Sequence, residues 1–150
     1  MRVVIQRVKN AQVDIENKTV GSIDHGLVVL LGIEMADTLE DIIWTVKKII
    51  QLRIFSDAED VMNLSLLDVA GELLLISRFT LMANTKKGNR SSYICDAKHD
   101  HAIPMYEAFI AETEKMMGKS IATGVFGADM QVLLCNDGPV TLQLDSKNKE

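Results

Sequence analysis

Ser77-Arg78-Phe79-Thr80 places two hydroxyls and a guanidinium at the end of an apolar run, Glu72–Leu81. A hydroxyl becomes a nucleophile only when a base activates it. No His or Asp stands near these residues in sequence, and no GxSxG elbow surrounds Ser77. On residue type alone they read as strand-end groups that satisfy neighbouring backbone. In a regular strand Ser77 and Phe79 face one way and Arg78 and Thr80 the other. A site that uses all four therefore requires a bend or bulge.

Two further segments carry reactive residue types. Asn136-Asp137-Gly138-Pro139-Val140-Thr141 reads as a tight turn between two strands. Local statistics favour a trans Gly-Pro bond there, since only about 5–6% of X-Pro bonds in folded proteins are cis. Cys95-Asp96-Ala97-Lys98-His99-Asp100-His101 contains the ligand types that zinc takes. It also leads straight into a helix for which Asp100 is a natural N-cap, so His99 and His101 would diverge around that cap. No metal is expected. A metal hydrolase built on Cys95, His99 and His101 is the weaker alternative. Cys95 and Cys135 match no CxxC pattern and read as reduced thiols of a cytoplasmic protein.

The elements that must position these groups follow from periodicity. Residues 2–9 and 11–16, a turn at Asn17-Lys18 and Thr19–Ile23 predict an N-terminal hairpin, with Val13 and Ile15 alternating against polar neighbours. Gly26–Ile33 is a glycine-bounded apolar run suited to a strand buried on both faces. Asp37 followed by Glu40 predicts a capped helix with the stripe Leu39, Ile42, Ile43, Val46, Ile49, Ile50. Residues 54–71 are irregular, and Glu72–Leu81 is a further strand. A second helix is expected over Asp100–Met117, with Pro104 in its first turn, a buried face of Ile103, Tyr106, Phe109, Ile110, Thr113, Met116 and Met117, and Gly118 closing it. Strands Thr123–Asn136 and Val140–Leu144 finish the domain. The fold class is α+β: one domain over residues 1–145 with a mixed, mainly antiparallel sheet or open barrel and two long helices packed on it. Residues 146–150 form a polar tail expected to fray.

Composition narrows the function classes. The 150 residues are 47% apolar and 25% charged, which suits one self-sufficient globular domain. No run of about 18 apolar residues is present, so no membrane span is expected, and the opening apolar run breaks at Gln6 and Arg7, too early for a signal peptide. The absence of GxGxxG and Walker motifs argues against nucleotide cofactors, and none of any kind is expected. A net charge of −5 argues against coating by nucleic acid but leaves room for a local basic patch. Lys86-Lys87-Gly88-Asn89-Arg90, followed by Lys98, is that patch or simply a solvated loop.

In this order and spacing the pieces resemble the D-aminoacyl-tRNA deacylase family along nearly the whole chain. The matching segments are Ile5-Gln6-Arg7-Val8, Gly26–Gly32, Arg53-Ile54-Phe55-Ser56-Asp57, Ser77–Leu81, Ala128-Asp129-Met130-Gln131-Val132 and Asn136–Thr141. The SxFTL and NxGPVT motifs are the specific ones. The resemblance implies a homodimeric esterase, working without cofactor or metal on the 3′-terminal adenosine end of aminoacyl-tRNA. It implies that Gly138-Pro139 is a Gly-cisPro element inserted into the partner's pocket, where it meets the α-amino group and rejects L side chains. Glycyl-tRNA then passes as well. Phe79 and Met130 are implied as walls around the adenosine, Ser77 and Thr80 as polar groups beside the ester, and Arg7 and Arg78 as members of the substrate-binding set. Lys86, Lys87 and Arg90 are implied as the tRNA-contacting patch. The 2′-hydroxyl of the terminal ribose and backbone N–H groups replace a side-chain nucleophile. Two residues depart from the family pattern, which commonly has Gln at position 78 and Pro at position 91. Arg78 adds a charge that would pair with a tRNA phosphate or alter substrate preference. A homologue that binds RNA without turnover is the alternative from another class.

Overall fold

The computed structural model describes residues 1–86, 88–93 and 97–149. A hairpin opens the fold. Strand β1, Arg2–Ile15, turns back into β2, Lys18–Ile23, through Glu16 and Asn17, both at positive φ. That is the backbone a two-residue hairpin turn demands, one residue earlier than expected. β3, Gly26–Gly32, pairs antiparallel with the first half of β1, while β2 pairs with its second half. The run from 26 is buried on both faces as its composition predicts. Leu27, Val29 and Leu31 point into the helix-side core, and Val28 points into a second cluster with Val8, Val13, Leu74 and Ile76.

Helix α1, Leu39–Gln51, carries the chain over to β6, Glu72–Ser77, which lies parallel to β3, with β4, Phe55–Ser56, and β5, Met62–Leu64, forming a small excursion between them. Helix α2, His99–Met117, makes the second crossover, to β7, Ala122–Thr123, parallel to β6. The final strand β8, Gln131–Asp145, returns along β1. β2 and β7 approach so closely that a Cβ on Gly21 would stand 2.7 Å from the Thr123 carbonyl oxygen. The mixed sheet thus nearly closes into a barrel, with both helices on its outer face, in a single α+β domain.

Several expectations need correction. The helix starts at Thr38, not Asp37: Thr38 and Asp41 form the reciprocal capping box. Asp37 is instead buried, 2.5 Å from the Met1 α-ammonium, which also donates to Ser146 Oγ at 3.1 Å. Of the expected α1 stripe, Leu39 and Ile43 are exposed, and Asp41 and Thr45 are buried in their stead. α2 begins two residues earlier than an Asp100 cap requires, with Lys98 as N-cap. Its Ile103 is partly exposed, and Ala102 and Met105 take the core-facing places. The expected strand 123–136 is split: β7 holds its start, residues 124–130 leave the sheet, and residues 131–136 join the expected strand 140–144 in one strand, β8, that runs through Gly138-Pro139 to Asp145. The polar tail does not fray at once. Ser146 is buried, and Lys147 donates to Asp41 at 2.7 Å.

That last contact has a pH signature. Burial alone would raise the Asp41 carboxyl, but hydrogen bonds from Lys147, Ser146 and Thr38 outweigh it and hold the group well below the usual carboxylate range. A depressed folded-state value gives stability that is present above the unfolded-state value and lost as pH falls through the folded one. Wild-type protein is therefore expected to lose thermal stability steadily below about pH 4, the ordinary carboxylate value. Asp41→Asn should show a shallower decline in a melting series over that range. An equal slope in the two proteins would refute the assignment.

Candidate active site

The site grows out of the point where β6 stops. Ser77 is its last residue, paired with Leu31 of β3. Arg78 then donates its N–H to the Leu31 carbonyl at 2.7 Å, and the chain coils into a 3-10 turn, Phe79–Met82. This is the bend that a site using all four residues requires. The turn is closed by Leu81 N–H to Arg78 O and Ala83 N–H to Thr80 O, both 3.2 Å. Its first two amides, of Phe79 and Thr80, have no hydrogen-bond partner among the described residues. They are free donors at the mouth of a cleft.

Gly32 allows this turn to pack. A Cβ there would stand 2.9 Å from Leu81 Cβ and 3.2 Å from the Arg78 carbonyl oxygen. Gly32→Ala is therefore expected to displace the turn and lower turnover about tenfold, with a melting temperature close to wild type, because misplacement by a fraction of an ångström is enough to slow a positioned reaction. Steady-state kinetics with unchanged activity would show that the turn does not position substrate.

The cleft measures ≈ 550 Å³ and gathers five of the anticipated residues, Ser77, Arg78, Phe79, Thr80 and Met130. Its floor is apolar, from Leu31, Ile33, Ile76, Ala97 and Ala102, and a second wall comes from His99 and the segment Phe126–Met130. Phe79 stands edge-to-face with Tyr93 at 5.2 Å, and His99 with Phe126 at 5.8 Å. Tyr106 backs Phe126 at 5.5 Å, and burial pushes its phenol up to about 12, the Thr123 hydroxyl offsetting part of the rise. His99, Phe126 and Asp129 are site residues that sequence reasoning missed. Phe126 read as one more apolar strand position, and the only available signal was the bracketing pair Gly124 and Gly127.

Arg7, Gly138 and Pro139 do not line this cleft. They make a separate knuckle on β8. Val8 pairs with Asn136 and Gln6 with Thr141, so four residues of β8 stand opposite Arg7 alone. The surplus carries Gly138-Pro139 outward with both residues exposed, and their peptide bond is cis, against the local statistical preference and as the resemblance implied. Asn136 Nδ2 staples the knuckle at both ends, donating to the Arg7 carbonyl at 2.9 Å and the Val140 carbonyl at 3.0 Å. Arg7 is buried beneath it. Its guanidinium reaches the Asp137 carboxylate at 3.2 Å, the Asp137 carbonyl at 3.3 Å and the Ile54 carbonyl.

Lys86 and Arg90 lie exposed at the tip of a loop whose base is closed by paired backbone bonds between Asn84 and Ser92, at 2.8 and 2.9 Å. Lys87, Cys95 and Asp96 lie outside the described residues. Among the described residues no three His, Cys, Asp or Glu side chains gather as a metal site, and no helix is long and apolar enough to cross a membrane.

The chain is thus a nearly closed α+β barrel with a cleft at the end of a parallel strand, lined by hydroxyls and by two amides without a partner among the described residues. The sequence pattern of the D-Tyr-tRNA(Tyr) deacylase family matches residues 4–145, and the chain belongs to that family. It is 59% identical to the D-aminoacyl-tRNA deacylase of Flavobacterium johnsoniae and 57% identical to that of Phocaeicola vulgatus, each over 150 residues and the full length of both chains. Among solved structures it is similar to the c-Myc DNA unwinding element binding protein, with a TM-score of 0.91 and 35% identity over 97% of this chain and 98% of that one. A probable eukaryotic D-amino acid tRNA deacylase shares the fold, with a TM-score of 0.82 at 17% identity over 95% and 97% of the two chains.

Proposed function

We propose that the protein hydrolyses the ester bond of D-aminoacyl-tRNA in the cytoplasm, and glycyl-tRNA by the same route, as a homodimer. The observation that carries this reading is the pair of unpartnered Phe79 and Thr80 amides beside the Ser77 and Thr80 hydroxyls over an apolar floor. An aminoacyl ester is already activated, so a cleft that fixes it and stabilises the developing oxyanion supplies most of what hydrolysis needs. Water adds to the ester carbonyl carbon. The oxyanion accepts from the two amides, the bond to the ribose 3′-oxygen breaks, and the proton lost by water reaches that oxygen by way of the vicinal 2′-hydroxyl. Phe79 and Met130 hold the terminal adenosine, and Arg78 faces the substrate from within the cleft. Lys86, Lys87 and Arg90 meet the acceptor stem, with an affinity that falls with salt.

The knuckle at Gly138-Pro139 is exposed and outside its own chain's cleft, so a second copy is the natural recipient. There its carbonyls take the substrate's α-amino group, and its bulk excludes an L side chain, leaving D and glycyl substrates admitted. Among the described residues β8 pairs with β1 alone, which supports an outer edge open to such a copy. The test is turnover of matched D-, L- and glycyl-tRNA esters. Cleavage of the D and glycyl esters with the L ester intact is expected. Equal cleavage of both enantiomers would overturn rejection by shape, and no cleavage of any would leave an RNA-binding homologue. Arg78→Gln with unchanged tRNA affinity and D-amino-acid preference across a salt series would remove Arg78 from the substrate-binding set.

A further inference from the structure

The cleft is in the size range of a small-molecule site, so it takes the aminoacyl-nucleoside end of a tRNA and the chain must leave across its rim. The first group to cross is the phosphodiester 5′ to the terminal nucleoside. The exposed residues of the cleft lining are Phe79, Thr80, His99, Gly127 and Asp129. Of these His99 alone can carry a positive charge. Arg78 lies deeper and half-buried. The imidazole is held by structure, not left to wander: its ring meets Phe126, and Phe126 is backed by buried Tyr106. Among the described residues neither ring nitrogen has a hydrogen-bond partner, and a Cβ built on Gly127 would meet Nε2 at 3.9 Å, which sets that nitrogen beside the exposed Gly127.

We propose that His99 is the rim contact for the phosphodiester linking the last two nucleotides of the substrate, a specificity-determining residue that favours a nucleotide chain over a free aminoacyl-nucleoside. The proposal rests on the reading of the cleft as the aminoacyl-tRNA site. The imidazole presents a ring N–H that can donate to a phosphodiester oxygen. The charged groups around it are Lys98, Asp100 and His101 of α2, Arg78 of the turn and Asp129 of the 126–130 wall.

The experiment measures binding of two non-hydrolysable probes: a D-aminoacyl amide of 3′-amino-3′-deoxyadenosine, and the same group at the end of a cytidylyl-adenosine dinucleotide. The dinucleotide adds a phosphodiester that stays singly charged throughout. Wild-type protein is expected to bind it more tightly than the nucleoside probe. His99→Ala should weaken it about three- to fivefold more than it weakens the nucleoside probe, as a solvent-facing ion pair allows. His99→Lys should retain the tighter binding of the dinucleotide. Equal loss for both probes, or no loss for either, overturns the rim contact while leaving the deacylase reading intact. Failure of the wild-type protein to bind either probe takes both readings down.

Discussion

Gly138→Ala is expected to lower D-aminoacyl-tRNA hydrolysis by about 100-fold, the scale of loss when a positioning element shifts by about an ångström. Gly138 has φ +120°, a backbone region that L side chains rarely adopt. A Cβ there would stand 2.9 Å from Arg7 Nη2 and 2.9 Å from Val140 Cγ2. Neither neighbour can yield freely, because Arg7 is buried and Val140 is held through its carbonyl by Asn136. The knuckle itself must move. It projects from the sheet and is anchored at its two ends, so the rest of the domain should keep its fold with a loss of about 1–3 kcal/mol. Circular dichroism and a modestly lowered melting temperature would confirm a folded variant with a dead site. Wild-type turnover in a folded Gly138→Ala protein would show that the knuckle takes no part. A mixed dimer with cleft-defective Thr80→Trp subunits sharpens the test. If each knuckle serves the partner's cleft, a dimer of one Gly138→Ala and one Thr80→Trp subunit joins the intact knuckle of the second to the open cleft of the first and regains one working site, whereas a knuckle that served its own cleft would leave both sites of that dimer dead.

How far the sequence revealed this depends on which force sets each feature. Gly26–Gly32 and the α1 and α2 segments were legible because burial on one or two faces imposes a period on residue type. The exposed Leu39 and Ile43 follow that period too, and only the packed helix shows which side of the stripe is covered. Asp37 looked like a cap because a carboxylate before a helix usually is one. Nothing in the local pattern could reveal that the Met1 ammonium, 36 residues away in sequence, would claim it. The end of β6 was legible as a place where apolar gives way to polar, but not the 3-10 turn, which depends on Gly32 in a neighbouring strand leaving room for Leu81. The second wall was hidden for a similar reason. His99 and Phe126 are 27 positions apart, and their meeting follows from where α2 and the 124–130 segment pack, not from spacing. The knuckle's motif was visible, while its bulged register against Arg7 required the paired strand.

Arg7→Met should be the most destabilising of the substitutions considered, by about 2–3 kcal/mol, the scale of leaving buried carbonyls without a charged donor, with the half-buried Asp137 carboxylate losing its partner as well. Arg7 is 8% exposed and lies where the bulge lifts β8 from β1. Its guanidinium fills the gap with bonds to two backbone carbonyls, of Asp137 and Ile54, and an ion pair to the Asp137 carboxylate. Methionine fits the volume but leaves those carbonyls without their donor and the carboxylate without its counter-charge. Arg7→Lys keeps the charge, yet a single ammonium cannot reach as a planar fork does toward Asp137 and Ile54 together. It should fall between the two in chemical denaturation. Adding Asp137→Asn to Arg7→Met removes the orphaned charge and is expected to restore part of the stability, because the two residues are directly coupled. It should not restore turnover, since the knuckle would still lack the side chain that supports it from below. A double mutant that recovers activity along with stability would mean that Arg7 serves the fold alone and that the knuckle keeps its shape without it.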